Sequence, residues 1–415
     1  MTSPPITGTS RAPALPGFDV RAARARYPAL ADGWAYLDGA AGTQVPRSVI
    51  DAVAGAWAAG IGNRGGAFAA SARSDAHTAA ARRAVADLVG APDPAGVLLG
   101  PNMTSMTYRV AAALAATWRP GDEVVLTRLD HDANVRPWVQ AAARAGAVVR
   151  FVDPVLPSLE LPSERFADVL TARTRLVALT AASNVVGTRP PVRQVADAAH
   201  GVGALVFVDG VHATAHVPVD MVALGADLYA TSAYKWSGPH LGAVVGDPAL
   251  LATLHPDKLA SSPPEVPSRF ETGTHPFAQH AGLAAAVDHL AELVPGTAGT
   301  RRQRLLTSMA AVEAYEHDLF AHLLAGLDAL PRVRPLGTPA LRTPTAWFTV
   351  DGHSPQAVAE HCAAARVNVW AGHMYAWELS GLLGIRDAGS AVRAGLVHYN
   401  DRSDVDALLS ALAEL

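Results

Sequence analysis

The sequence predicts an α/β fold: a large, mainly parallel seven-stranded sheet domain followed by a smaller α+β domain. Three observations carry that expectation. Between about residues 96 and 246, seven short apolar runs alternate with amphipathic stretches of helical length. After about residue 290 this alternation gives way to one long helical pattern and then to mixed helix and strand signals. The chain has 415 residues, of which 50% are hydrophobic and 17% charged, enough apolar material for two lobes with buried cores.

Taken in order, Met1–Gly17 is rich in Pro, Ser and Thr and lacks a basic region followed by an apolar stretch. Residues 1–18 therefore read as a flexible tail rather than a secretory signal. Residues 19–290 form the expected large domain, whose first part is free to pack on the smaller lobe. Its strand candidates are Gly96–Leu99, Glu123–Thr127, Val148–Val152, Leu176–Thr180, Ala204–Val208, Leu228–Thr231 and Ala243–Val245. Several are nearly continuous in Val, Leu and Phe, as strands buried on both faces require. Asn134–Ala145 and Val192–His200 suit crossover helices. The last strands follow one another closely, which predicts some antiparallel pairing. In the expected small domain, residues 291–415, a helix over Arg301–Leu330 is ended by Pro331. A strand at Ala346–Val350, a helix at Pro355–Ala365, strands at Val367–Trp370 and Val392–His398, and a helix from Ser403 complete it. Ligands of such sheets lie beyond the carboxyl ends of the strands, so the site is sought in the loops that follow them.

Composition excludes several classes. The net charge is −4 with scattered Lys and Arg, which leaves no electrostatic footprint for nucleic acid or an anionic membrane. No apolar run is long enough to span a bilayer. Cys362 is the single cysteine, so neither a disulfide framework nor a thiolate metal cage is expected, and a reducing cytoplasmic setting fits. His212 and His216 are four apart but lack a third ligand, so no metal is expected.

The chemistry gathers at two strand ends. Phe207-Val208-Asp209 runs into Gly210-Val211-His212, and Leu228-Tyr229-Ala230-Thr231 runs into Ser232-Ala233-Tyr234-Lys235. An acid and a lysine leaving neighbouring strands can reach one aromatic heterocycle from two directions. Pyridoxal phosphate makes that demand: its aldehyde takes an amine as a Schiff base, and its ring nitrogen needs a carboxylate to hold a proton. Taken singly, Asp209 could be a helix cap and Lys235 a solvated turn lysine.

The surrounding motifs resemble the class V aminotransferase family of fold-type-I pyridoxal enzymes, in particular its cysteine desulfurase-like branch. The resemblance runs from Tyr36 to the C-terminus. It rests on Leu37-Asp38-Gly39-Ala40-Ala41, Asp130-His131-Asp132-Ala133-Asn134, Ser183-Asn184-Val185-Val186-Gly187-Thr188, Glu271-Thr272-Gly273-Thr274 and Arg393-Ala394-Gly395-Leu396, together with the Asp209 and Lys235 segments. The resemblance implies that Lys235 carries the cofactor, Asp209 holds its ring nitrogen and His131 stacks on its face. Asn184 and His212 would lie near its phenolic oxygen. Thr104, Ser105, Ser232 and Tyr234 would surround the phosphate, where a helix start favours an anion. Thr274 resembles a threonine that reaches the phosphate of a neighbouring subunit, which implies a homodimer with shared sites. Arg393 would grip the substrate's α-carboxylate with its planar fork, which implies an amino-acid substrate. Ala40, Trp370 and Tyr375 border the substrate position. Capping roles for Thr104 and Thr274, a structural ion pair for Arg393 and a polar-turn role for His131 stay open.

One departure matters. Desulfurases carry a nucleophilic cysteine on a mobile loop, and the corresponding segment here is Trp370-Ala371-Gly372-His373-Met374-Tyr375-Ala376, with Tyr375 at the cysteine position. Cys362 lies earlier, among alanines in a helical pattern, and reads as packing. The expected function is therefore β-elimination at a cysteine S-conjugate, a carbon–sulfur lyase of specialised metabolism. The framework also resembles pyridoxal enzymes of lincosamide-type antibiotic biosynthesis. Decarboxylating or oxidative deamination, transamination, epimerisation, cysteine desulfuration and cofactor binding without catalysis remain alternatives.

Overall fold

The computed structural model describes residues 17–415, so the expected tail lies outside the described residues except for Gly17 and Phe18. Seven strands form the main sheet: Val97–Gly100 (β1), Glu123–Thr127 (β2), Val148–Val152 (β3), Thr174–Thr180 (β4), Leu205–Asp209 (β5), Leu228–Ser232 (β6) and Gly242–Gly246 (β7). Their spatial order is β1-β7-β6-β5-β4-β2-β3. The pairs from β3 to β6 are parallel, whereas β7 runs antiparallel to both β6 and β1. The antiparallel pairing expected of the late strands is thus present at one side of the sheet. β3 is the opposite edge, where Val148 and Arg150 are exposed and only Val152 is buried, while β2, β6 and β7 are buried throughout.

Each sheet face has its own core. One holds Val125, Val177, Val206 and Tyr229 under helices that include Ala69–Val89 and Phe277–Ala291; the other holds Leu126, Ala178 and Phe207 under Met103–Ala115 and Arg136–Ala145. Trp138 is fully buried against Phe207, ring centroids 5.0 Å apart and edge to face.

A second sheet has Val333–Pro335 (β8), Thr345–Val350 (β9), Trp370–Gly372 (β10) and Ala391–Gly395 (β11), in the order β10-β11-β9-β8 with antiparallel pairs. The expected single strand over Val367–Trp370 is two. Val367–Asn368 pairs in parallel with Ala35–Tyr36, and only from Trp370 does the chain join the second sheet. The expected strand Val392–His398 stops at Gly395, where its N–H is taken by Leu37 O and that of Leu396 by Pro344 O. The early segment around Ala35–Asp38 accordingly packs on the late part of the chain.

The helix Arg301–Ala329 starts with a capping box, Thr300 and Gln303 exchanging side-chain and backbone hydrogen bonds. Its first half buries Leu305, Met309 and Val312 in the core of the main sheet. Its second half buries Leu319, Phe320, Leu323 and Leu327 against the second sheet. Among the described residues, no helix is long and apolar enough to cross a membrane.

Candidate active site

The parallel strands all end at one rim of the sheet, and the polar residues that follow them meet there. β5 delivers Asp209, which lies in register with Thr180 of β4 and Ala230 of β6. The next residue must be glycine, because a Cβ on Gly210 would stand 1.9 Å from the Tyr229 hydroxyl. Asp209 is 4% exposed and accepts the Val211 N–H at 2.9 Å. Burial pushes its carboxyl up to about 6, against the pull of that N–H and of Lys235.

β6 runs into a single 3-10 turn, Ala233–Lys235, that turns the lysine back over the rim. Lys235 Nζ donates to the carbonyls of Ala40 and Ala41 at 2.7 and 2.8 Å. Burial, then the positive charge of Arg393, pulls the amine down to about 7; Asp209 and Asp38 act in the other direction. An amine in that range is partly unprotonated at neutral pH and therefore nucleophilic.

β2 leads to Asp130-His131-Asp132. Asp130 is fixed below the rim, accepting from Thr127 and, at 2.8 Å, from Asn134 Nδ2. Burial pushes its carboxyl up to about 8, and the nearby Asp209 adds to the shift. His131 Nδ1 accepts the Ala133 N–H at 3.0 Å, which leaves the ring proton on Nε2. Burial and the positive neighbours Lys235 and Arg393 pull this imidazole down to about 3, so it is neutral. His131 lines the cavity, and Tyr375 stacks on its ring at 5.1 Å without lining the cavity itself.

After β1, Asn102 caps the helix Met103–Ala115 by accepting the Ser105 N–H at 2.8 Å. Met103 N–H goes to Ser232 Oγ at 3.0 Å. Two of the free helix-start donors are thus used internally, and Thr104 stands between them on the cavity wall. Gly242 permits the approach, since a Cβ there would meet Asn102 C at 2.3 Å. Tyr234 lines the same end, its ring stacked on His240 at 5.2 Å.

At the opposite end stand Asn184 and His212. Asn184 Nδ2 donates to Met374 O at 2.9 Å, and its Oδ1 is buried without a partner. Arg393 is 3% exposed behind them and donates to the Asn184 carbonyl at 3.0 Å. Burial pulls its guanidinium down to about 10, opposed by Asp38.

One cavity therefore gathers Ala40, Thr104, His131, Asn184, Asp209, His212, Ser232, Tyr234 and Lys235. Five of the expected residues lie off its wall. Ser105 and Thr274 are exposed, Trp370 is 51% exposed beside Arg393 in register, Tyr375 is 65% exposed over His131, and Arg393 is buried behind. Reading the sequence assigned no role to Asp130, whose carboxyl the Asp209 charge helps to push up, or to Asp38, which faces Arg393 and Lys235, although both stand in the motifs that carry the resemblance. The residues fit the pyridoxal phosphate that the motifs imply. A carboxyl and a reactive amine face one cavity, a flat neutral imidazole walls it, a helix start stands at one end, and the unpartnered Asn184 Oδ1 at the other.

Comparison with known proteins agrees. The family model described as "Aminotransferase class-V" matches residues 35–408. The chain is 35% identical over 96% of its length to an uncharacterized Mycobacterium tuberculosis protein, MT3887, of which it covers 99%. It is 35% identical over 94% of its length to a probable cysteine desulfurase of Pseudomonas aeruginosa, covering 96% of that chain. Among solved structures, the Escherichia coli cysteine desulfurase CsdA, in an S-sulfonic acid form, superposes with a TM-score of 0.84 at 28% identity, covering 96% of this chain and 98% of that one.

Proposed function

This chain belongs to the class-V aminotransferase family of pyridoxal-phosphate enzymes that act on amino acids, and we propose on that premise that it is a carbon–sulfur β-lyase acting on an S-substituted cysteine. The cofactor, when bound, supplies an electron sink for the substrate's α-carbon. Lys235 would hold its aldehyde carbon, Asp209 its ring nitrogen, His131 its face, and Asn184 and His212 its phenolic oxygen. Thr104, with Ser232 and Tyr234, would hold the phosphate, and Thr274 that of a second copy in a homodimer. Arg393 would fix the substrate's carboxylate. The Lys235 amine would take the substrate's α-proton.

The observation that carries the reading is the absence of a usable thiol among the described residues. Tyr375 occupies the loop position, and Cys362 is fully buried among Leu319, Val358 and Val405, its thiol pushed up to about 11 by burial. Sulfur abstraction needs an exposed thiolate. β-Elimination needs only proton removal at the α-carbon and departure of the thiol from the β-carbon. With one water the overall products are a thiol, pyruvate and ammonia. The similarity to probable desulfurases favours a second reading, cysteine desulfuration. Product analysis separates them. Pyruvate and thiol from S-substituted cysteines support the lyase, and alanine with sulfide from cysteine plus a reductant supports desulfuration. A keto acid that retains sulfur, or released carbon dioxide, overturns both in favour of transamination or decarboxylation.

A further inference from the structure

From His212 on the cavity wall a row of buried polar side chains runs back into the protein, and its two inner members have no part in the chemistry above. His212, His216 and Glu316 are 4%, 1% and 1% exposed. His212 lines the cavity, and its Nε2 lies 3.1 Å from Thr345 Oγ1, which leaves Nδ1 for the cavity side. The His216 ring meets the His212 ring edge to face at 4.6 Å. His216 Nδ1 lies 2.8 Å from Glu316 Oε2. Glu316 Oε1 is buried with no partner. On their far side, His216 and Glu316 line a groove of about 890 Å³ between the helix Arg301–Ala329 and residues 335–344. The row thus runs through the protein from the cavity to a second opening.

A buried carboxyl with one oxygen on an imidazole and the other unsatisfied is costly to keep for packing alone. The Glu316 Oε2 contact with His216 Nδ1 fixes which nitrogen of His216 carries a proton, as carboxylates do for the imidazoles they hold. The ring contact then passes that orientation to His212. We propose that Glu316 is a positioning residue of this site, acting through His216 to orient His212 toward the cofactor's phenolic oxygen. The proposal rests on the reading of His212 given above. Other titratable and charged groups facing the row are Lys235 and Arg393 on the cavity side, and Glu313 and His398 behind it.

The test is the pH dependence of visible absorption in cofactor-loaded protein, for wild type, Glu316→Gln, His212→Gln and the double variant. Glu316→Gln is expected to keep cofactor content and circular dichroism while moving the absorption midpoint on the order of one pH unit. In the His212→Gln background the same change should move nothing further. An unmoved midpoint in Glu316→Gln, or an equal shift in both backgrounds, overturns the proposal. An unmoved midpoint in His212→Gln instead overturns the placement of His212 at the cofactor, and the proposal with it. Should Glu316→Gln not fold, His216→Gln is read in the same comparison with the same criteria.

Discussion

Replacing Arg393 by Gln changes two quantities in directions the structure dictates. Gln ends two bonds short of the Arg393 Nη1 that now donates to the Asn184 carbonyl at 3.0 Å, so the fold of the variant is checked by circular dichroism before kinetics are read. What it loses is the charge and the fork. A hydrogen bond to a charged group contributes about 1.5–3 kcal/mol. Exchanging two such bonds to a carboxylate for one neutral bond costs about 2–4 kcal/mol, which lowers kcat/KM roughly 30- to 900-fold. Arg393 is also the second cause, after burial, of the depressed Lys235 amine. Its loss leaves Asp38 and Asp209 to raise that amine, so cofactor capture by the apoprotein should need a higher pH. Steady-state kinetics with an S-substituted cysteine and the pH dependence of cofactor capture read the two effects separately. A fall in kcat/KM below about threefold in folded, loaded protein would refute Arg393 as the carboxylate anchor. An unmoved capture profile would refute its electrostatic hold on Lys235.

Three further outcomes follow from the same geometry. In wild-type apoprotein, the rate of cofactor capture should rise with pH through about 7 and level off above, because only the free amine of Lys235 attacks; below that point the free fraction falls about tenfold per unit. Stopped-flow absorbance across pH checks this. Lys235→Ala should abolish the reduction-stable covalent attachment of the cofactor, measured by mass spectrometry after borohydride treatment, and reduce turnover to background. Cys362→Ser should leave turnover within about twofold, while an unpaired hydroxyl in a fully buried site costs about 1–3 kcal/mol of stability, read by chemical denaturation.

The rim of the main sheet was legible because its strands are apolar runs that stop at polar residues. Asp209 and Lys235 stand out for that reason, and their strands pair with the same neighbours that sequence order suggests. Long-range pairings were not legible. Ala35–Tyr36 beside Val367–Asn368 joins two short segments far apart in the chain, and neither carries enough alternation to announce a partner. The helix Ala69–Val89 is so rich in alanine that its buried and exposed faces differ little in composition. At the site, residue types were readable but commitments were not. Asn184 was expected at the cofactor oxygen, yet its amide also holds Met374 and its carbonyl holds Arg393. Asp130 could be quoted from a motif, whereas its burial next to Asp209 depends on a fold-level contact.

The 29-residue helix Arg301–Ala329 has a mechanical meaning as well as a topological one. Its two halves are rooted in different cores, so it acts as a shared beam whose loss would strip apolar cover from both sheets at once. Loosening either half is therefore felt at the other. Heating should melt both sheets in a single cooperative transition, and a cut in mid-beam should split that transition in two.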